Sequence, residues 1–163
     1  MTVHISVTSA DRVDAAAQLW AEATAARDGD DEIAPLDLSR PLVRSVLDSS
    51  PRSLLIAADD GDELVGFAAI EPWASESATA EIRFVGVSPR AWGAGVGREL
   101  MAAVPELLAQ EGFEDAVLKV YVDNTRAVRL YESLGWRADG EPATHPRSGR
   151  AEQQYRLDVR RAR

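Results

Sequence analysis

The chain has 163 residues, 45% of them hydrophobic and 28% charged, a formal net charge of −9 and no cysteine. That is the size and make-up of one globular domain with enough chain to bury a core unaided. The lack of thiols excludes disulfides, thiolate metal sites and an acyl-cysteine intermediate, and the acidic balance argues against a broad nucleic-acid-binding face. No apolar run reaches bilayer length, and Met1-Thr2-Val3-His4-Ile5 lacks the basic-then-apolar order of a signal peptide. No membrane partner and a cytoplasmic location are therefore expected.

Val3, Ile5 and Val7 alternate as a short strand, after which Ser9 and Asp11 offer helix caps. Val13, Ala16, Ala17 and Trp20 then recur at helical spacing until Asp28-Gly29. A second helix is predicted near Ser39, with Pro41 in its first turn and Leu42, Val43, Val46 and Leu47 on its apolar face. Residues 54–57 and 64–70 read as two strands joined through Asp60-Gly61, a hairpin signal. Residues 78–87 form a third strand, followed by Ser88-Pro89 and a glycine-rich turn. Leu100, Met101, Val104, Leu107 and Leu108 share a helical face, within which Pro105 predicts a kink or a division. Gly112 ends that helix, and 116–122 is again a strand. Asn124 opens a helix carrying Ala127, Leu130, Tyr131 and Leu134, with Gly135 at its C-terminal cap. Residues 153–159 alternate as a closing strand.

The most informative stretch is the strand, turn and helix over 80–104. A helix N-terminus offers unpaired N–H groups and a positive dipole end, both of which attract phosphate. Gly93, Gly95 and Gly97 allow positive φ and let phosphate oxygens approach the backbone. A dinucleotide fingerprint, G-x-G-x-x-G, would need glycine at Arg98, and a P-loop would need Lys-Ser or Lys-Thr where Arg98-Glu99 stand. The chain also holds a single lysine, Lys119, so phosphate binding rests on arginines and backbone amides.

Three separated motifs resemble those of the GCN5-related N-acetyltransferases. Glu81-Ile82-Arg83-Phe84-Val85-Gly86-Val87-Ser88-Pro89 fits the first, Gly93-Ala94-Gly95-Val96-Gly97 the second, and Asn124, Ala127, Tyr131, Gly135 and Trp136 the third. The resemblance covers roughly 54–159. It implies a single mixed, mostly antiparallel α/β (α+β) sheet of six to seven strands flanked by helices on both faces. It also implies one domain over 1–163, with variable acceptor-side helices in 1–50 and an acetyl-CoA-binding core in 54–159. A gap for the pantetheine arm is expected between the strands over 78–87 and 116–122.

The activity so implied is transfer of an acetyl group from acetyl-CoA, as co-substrate, to a primary amine by direct attack. Glu81 takes the position of a carboxylate base acting through water, and Tyr131 that of the acid that protonates the leaving thiolate. Cofactor contacts are implied for Val85, Gly86 and Val87, for the turn of Trp92, Gly93, Ala94, Gly95, Val96, Gly97 and Arg98, and for Asn124 and Tyr131. Trp92 departs from the family's usual Arg or Gln, so Arg98, or else Arg90, would supply the missing charge. Gly86 stands where the family often has a bulky residue, which suggests a bulge.

The acceptor the resemblance implies is a small-molecule or peptide amine, its class left open among aminoglycosides, polyamines, amino acids and peptide N-termini. Asp28, Asp30, Asp31, Glu32 and Asp37 read either as a solvated acidic loop or as an acceptor mouth favouring a cationic amine. His4 and His145 have no ligand spacing, and no metal is expected. A homodimer is compatible with the family resemblance. Two other classes fit the same glycine turn: a non-catalytic acyl-CoA sensor and a nucleotide-binding module.

Overall fold

The computed structural model describes residues 1–160. It is a mixed α/β chain with a mostly antiparallel sheet and four α-helices: β1 (His4–Thr8), α1 (Val13–Asp28), α2 (Leu36–Asp48), β2 (Leu54–Asp60), β3 (Glu63–Trp73), β4 (Glu76–Val87), α3 (Val96–Gln110), β5 (Asp115–Tyr121), α4 (Thr125–Ser133), β6 (Arg137–Ala138), β7 (Ala143–Thr144) and β8 (Ala151–Asp158). Two compact units form, Met1–Glu71 with Arg83–Ala103, and Pro72–Ile82 with the described part of Val104–Arg163.

In the first unit the strands follow the order β1-β2-β3-β4. β1 and β2 are antiparallel, with Ile5 opposite Ala58 and Val7 opposite Ile56. β2 and β3 form the expected hairpin, closed by Asp60 opposite Glu63 and by Gly61 at φ +61°. α1 ends where the sequence places its stop, Gly29 taking the left-handed conformation at φ 71°. Val13, Ala16, Ala17 and Leu19 of α1 and Val43 and Val46 of α2 pack with Leu55, Phe67 and Ala69 into one apolar cluster. Trp20 lies edge-on to Phe84 at 4.9 Å between ring centroids.

α2 begins three residues before the expected start, at Leu36, with Pro35 extended as its N-cap at φ −64°, ψ 151°. Ser39 is thus inside the helix and buried, its hydroxyl 3.5 Å from the Leu36 carbonyl. Pro41 is the sixth helical residue, where it removes one N–H from the ladder. The burial of Val43 and Val46 offsets that loss. Leu42, expected on the apolar face, is 40% exposed.

In the second unit the order is β4-β5-β8-β6, with β7 also on β8. β4 and β5 are parallel over a short register, Thr79 opposite Asp115 through Ile82 opposite Leu118. β5 pairs antiparallel with β8 along its full length, from Asp115 opposite Asp158 to Tyr121 opposite Glu152. β6 and β7 bring the described strands to eight, beyond the six to seven expected. Each has two residues, too few for any periodicity to register. α3 runs unbroken through Pro105, so the predicted division does not occur. Val104 and Leu108 on either side of the proline are fully buried, and that packing holds the turn together.

Arg156 on β8 ties the second unit together. Its guanidinium donates to Asp115 at 2.5 Å and to Asp139 at 3.1 Å and lies 5.3 Å from the Trp73 ring centroid.

Candidate functional site

The glycine turn is built from the end of β4. The Ser88 N–H donates to the Val65 carbonyl at 2.8 Å, and a 3₁₀ turn, Pro89–Ala91, buries Ala91. The Ala94 N–H returns to the Ala91 carbonyl at 3.2 Å. Gly93 and Gly95 sit at φ +83° and +85°, and a Cβ at either would meet nothing within 4 Å. Conformation, not crowding, therefore requires glycine here, and the space above the backbone is open. Gly97 lies in the first turn of α3. The Glu99 N–H reaches the Gly95 carbonyl at 3.0 Å, so the N–H groups of Val96 and Gly97 precede the first intrahelical hydrogen bond and have no acceptor within the helix. Val96 turns its side chain into the core, and a Cβ at Gly66 would lie 3.1 Å from its Cγ1, so Gly66 lets the helix start pack on β3.

These residues fit a diphosphate: positive-φ glycines with open space at their Cβ positions, and a helix N-terminus directly after them. Trp92, before Gly93, is 43% exposed, and its Nε1–H donates to the Val87 carbonyl at 2.9 Å. Arg98 is exposed on the first turn of α3. Arg90, the alternative source of positive charge, is held locally by an ion pair with Glu63 and by the Ser88 hydroxyl at 3.3 Å.

On the same strand, Val85 and Val87 are half-buried and Gly86 is buried. A Cβ at Gly86 would fall 2.8 Å from Phe67 Cε1 and 3.0 Å from Leu19 Cδ2. Gly86 has no positive φ. A glycine stands in place of a bulky residue because Phe67 and Leu19 already fill that volume.

The second unit holds Glu81, Asn124 and Tyr131. Glu81 is half-buried on β4 opposite Val117 of β5. Two residues earlier, the Thr79 hydroxyl donates to Asp115 at 2.5 Å, a bond that pins the short parallel register. The partners are 36 residues apart, a separation at which local sequence patterns carry no signal. Asn124 is the N-cap of α4, its Oδ1 accepting the Ala127 N–H at 3.3 Å. Tyr131 is 9% exposed, its ring 6.3 Å from that of Trp136 at 57°, and the Trp136 N–H donates to the Tyr131 carbonyl at 3.0 Å. Burial raises the Tyr131 phenol from 10.0 to about 12, so it is a proton-bearing donor at any physiological pH.

The acidic segment divides. Asp28 pairs with Arg27 and Asp37 with Arg40. Asp30, Asp31 and Glu32 instead border an open cavity of about 570 Å³, together with Thr24 and Ala25 of α1 and Pro35. His145 caps its own turn, Nδ1 accepting the Arg147 and Ser148 N–H groups at 3.2 and 3.3 Å. No group of three or more potential metal ligands occurs among the described residues. No helix among them is long and apolar enough to cross a membrane.

The mycothiol acetyltransferase of Kocuria rhizophila is 42% identical over 97 residues, 55% of this chain and 32% of that protein. That of Streptomyces griseus is 40% identical over 86 residues, 53% and 27% of the two chains. The chain spans about a third of the length of the curated relatives it matches. Among solved structures, the ribosomal-protein-S18-alanine N-acetyltransferase from Escherichia coli superposes with a TM-score of 0.76 at 20% identity, covering 97% of this chain and 94% of that one. The yncA protein of Salmonella typhimurium, solved with its cofactor acetyl-CoA, gives 0.72 at 18% identity, covering 98% and 95%. These two likenesses are of fold. The profile of the Acetyltransferase (GNAT) family matches residues 15–136. That span takes in the glycine turn, β4 and the whole of α4, and the chain belongs to the Acetyltransferase (GNAT) family.

Proposed function

We propose that this protein transfers the acetyl group of acetyl-CoA to a primary amine by direct attack. The observation that carries the reading is the glycine turn: Gly93 and Gly95 at positive φ with open space at their Cβ positions, leading into the N-terminus of α3. The N–H groups there, with Arg98, would hold the diphosphate, and the backbone of Val85, Gly86 and Val87 would hold the pantetheine amide and the thioester carbonyl. Asn124 would contact the arm through Nδ2, since its Oδ1 is committed to Ala127.

Acetyl-CoA supplies an acetyl thioester, from which the acetyl carbon passes to the amine nitrogen while the sulfur leaves as the CoA thiolate. An alkyl amine with a pKa of roughly 10 is protonated at neutral pH and must lose its proton before it attacks. Glu81 accepts that proton through water. Tyr131, kept protonated by burial, donates to the leaving sulfur. With no cysteine in the chain, the acetyl group goes straight to the acceptor without a thiol carrier.

The cavity bordered by Asp30, Asp31 and Glu32 supports a cationic acceptor, with residues 1–50 as the acceptor side and 54–159 as the cofactor core of one domain. The test is release of free thiol from acetyl-CoA across a panel of aminoglycosides, polyamines, amino acids and peptide N-termini. The reading predicts amine-dependent release, strongest among polycations, falling at least tenfold in Glu81→Gln. Tight acetyl-CoA binding with no release for any amine would instead make the protein an acyl-CoA sensor.

A further inference from the structure

Trp92 occupies the position before the first glycine of the turn, and it cannot act there as a donor to phosphate. Its one polar atom, Nε1–H, is already committed to the Val87 carbonyl at 2.9 Å. What the side chain still offers a ligand is π surface, and 43% of the residue is exposed. Trp136, by contrast, is buried. The hydrogen bond to β4 restrains the indole, so little rotamer freedom remains to be lost on binding. Gly93, the next residue, has no atom outside its chain neighbours within 4 Å of where a Cβ would be, so the backbone beside the ring is not covered by another part of the chain there.

We infer that Trp92 is the binding surface for the nucleotide end of CoA, its exposed indole face stacking the adenine while the neighbouring glycine turn holds the diphosphate. The inference rests on the acetyl-CoA reading above. In a chain of net charge −9, an uncharged stacking contact also holds a polyphosphate ligand without depending on salt. Trp92 thus replaces a charged or amide contact to the diphosphate with an aromatic contact to the base.

The test is calorimetric titration of the wild type, Trp92→Ala and Trp92→Phe with two probes, acetyl-CoA and S-acetylpantetheine 4′-diphosphate, which keeps the diphosphate and lacks the 3′-phosphoadenosine. Base stacking on an aromatic side chain contributes about 1–3 kcal/mol, so Trp92→Ala is expected to weaken acetyl-CoA binding roughly tenfold or more. It should leave binding of the pantetheine diphosphate within about twofold, a margin small beside that loss. Trp92→Phe, which keeps a ring but not the bond to Val87, should recover most of the acetyl-CoA affinity. Equal losses for both probes would overturn the inference, because Trp92 would then act only by bracing Val87 and the turn. Unchanged acetyl-CoA affinity in Trp92→Ala would overturn it as well. If the wild type itself fails to bind acetyl-CoA, the parent reading falls and this inference with it, an outcome distinct from the other two.

Discussion

Gly86 and Phe67 are matched by volume: a Cβ at Gly86 would lie 2.8 Å from Cε1 of a phenyl ring that is itself fully buried. The same Cβ would press on Leu19 at 3.0 Å, so the ring cannot move aside cheaply. Gly86→Ala is expected to cost about 1–3 kcal/mol by overpacking, read as a lower urea midpoint with unchanged slope. The paired change Gly86→Ala with Phe67→Leu should recover part of that loss. A neutral single variant would show that the core around Phe67 yields.

At Gly95 the demand is conformational. An alanine at φ +85° costs about 1–2 kcal/mol of backbone strain and puts a methyl where phosphate oxygens would approach. Gly95→Ala should therefore weaken acetyl-CoA binding by more than tenfold while lowering stability only modestly. Gly112→Ala, also at positive φ with nothing near its Cβ, is the control. It should lose stability to a similar extent and keep its affinity.

Tyr131 predicts two pH effects. Its phenol is raised from 10.0 to about 12 by burial, so the folded state holds the proton more tightly than the unfolded one. Its contribution to stability is fully present below pH 10 and is lost as pH rises from about 10 through about 12. Tyr131→Phe should flatten part of the alkaline decline in unfolding free energy. Tyr155, raised in the same direction by burial beside Glu132, keeps the remainder. In catalysis, Tyr131→Phe should lower kcat by about 10²-fold with little change in KM, and the wild-type rate should show no tyrosine ionisation below pH 10.

Arg156 joins Asp115, Asp139 and the Trp73 ring. Asp139 is held below its usual range by its bonds from Gln154 and Arg156, so its contribution is present above the normal carboxylate pKa and is lost as pH falls through its lowered value. Arg156→Ala is expected to cost about 2 kcal/mol near neutral pH. The gap to wild type should narrow as the solution is acidified, as measured by denaturation at pH 7 and pH 3.

Much of this molecule is legible in the chain. Gly29, Gly61 and Gly135 take the left-handed conformations their turns require, and the hairpin, the capped helix at Asn124 and the glycine turn follow from local chemistry alone. Three kinds of feature do not. The early start of α2 depends on Pro35 serving as an extended cap, which no propensity reveals. The strands β6 and β7 exist only because β8 is there to pair with them. The burial of Gly86 and the Thr79 bond to Asp115 are long-range facts, set by side chains far away in sequence. Tyr131 shows the same divide: its helical face was readable, but its raised pKa comes from the packing around it.

The central claim is that the glycine turn binds CoA, and thermal unfolding in the presence of acetyl-CoA, CoA, ATP and NAD tests it most directly. At a hundredfold excess over Kd, acetyl-CoA and CoA should raise Tm by about 5 °C or more, while ATP and NAD at equal concentration should shift it little. A response to ATP or NAD with none to acetyl-CoA would contradict the account.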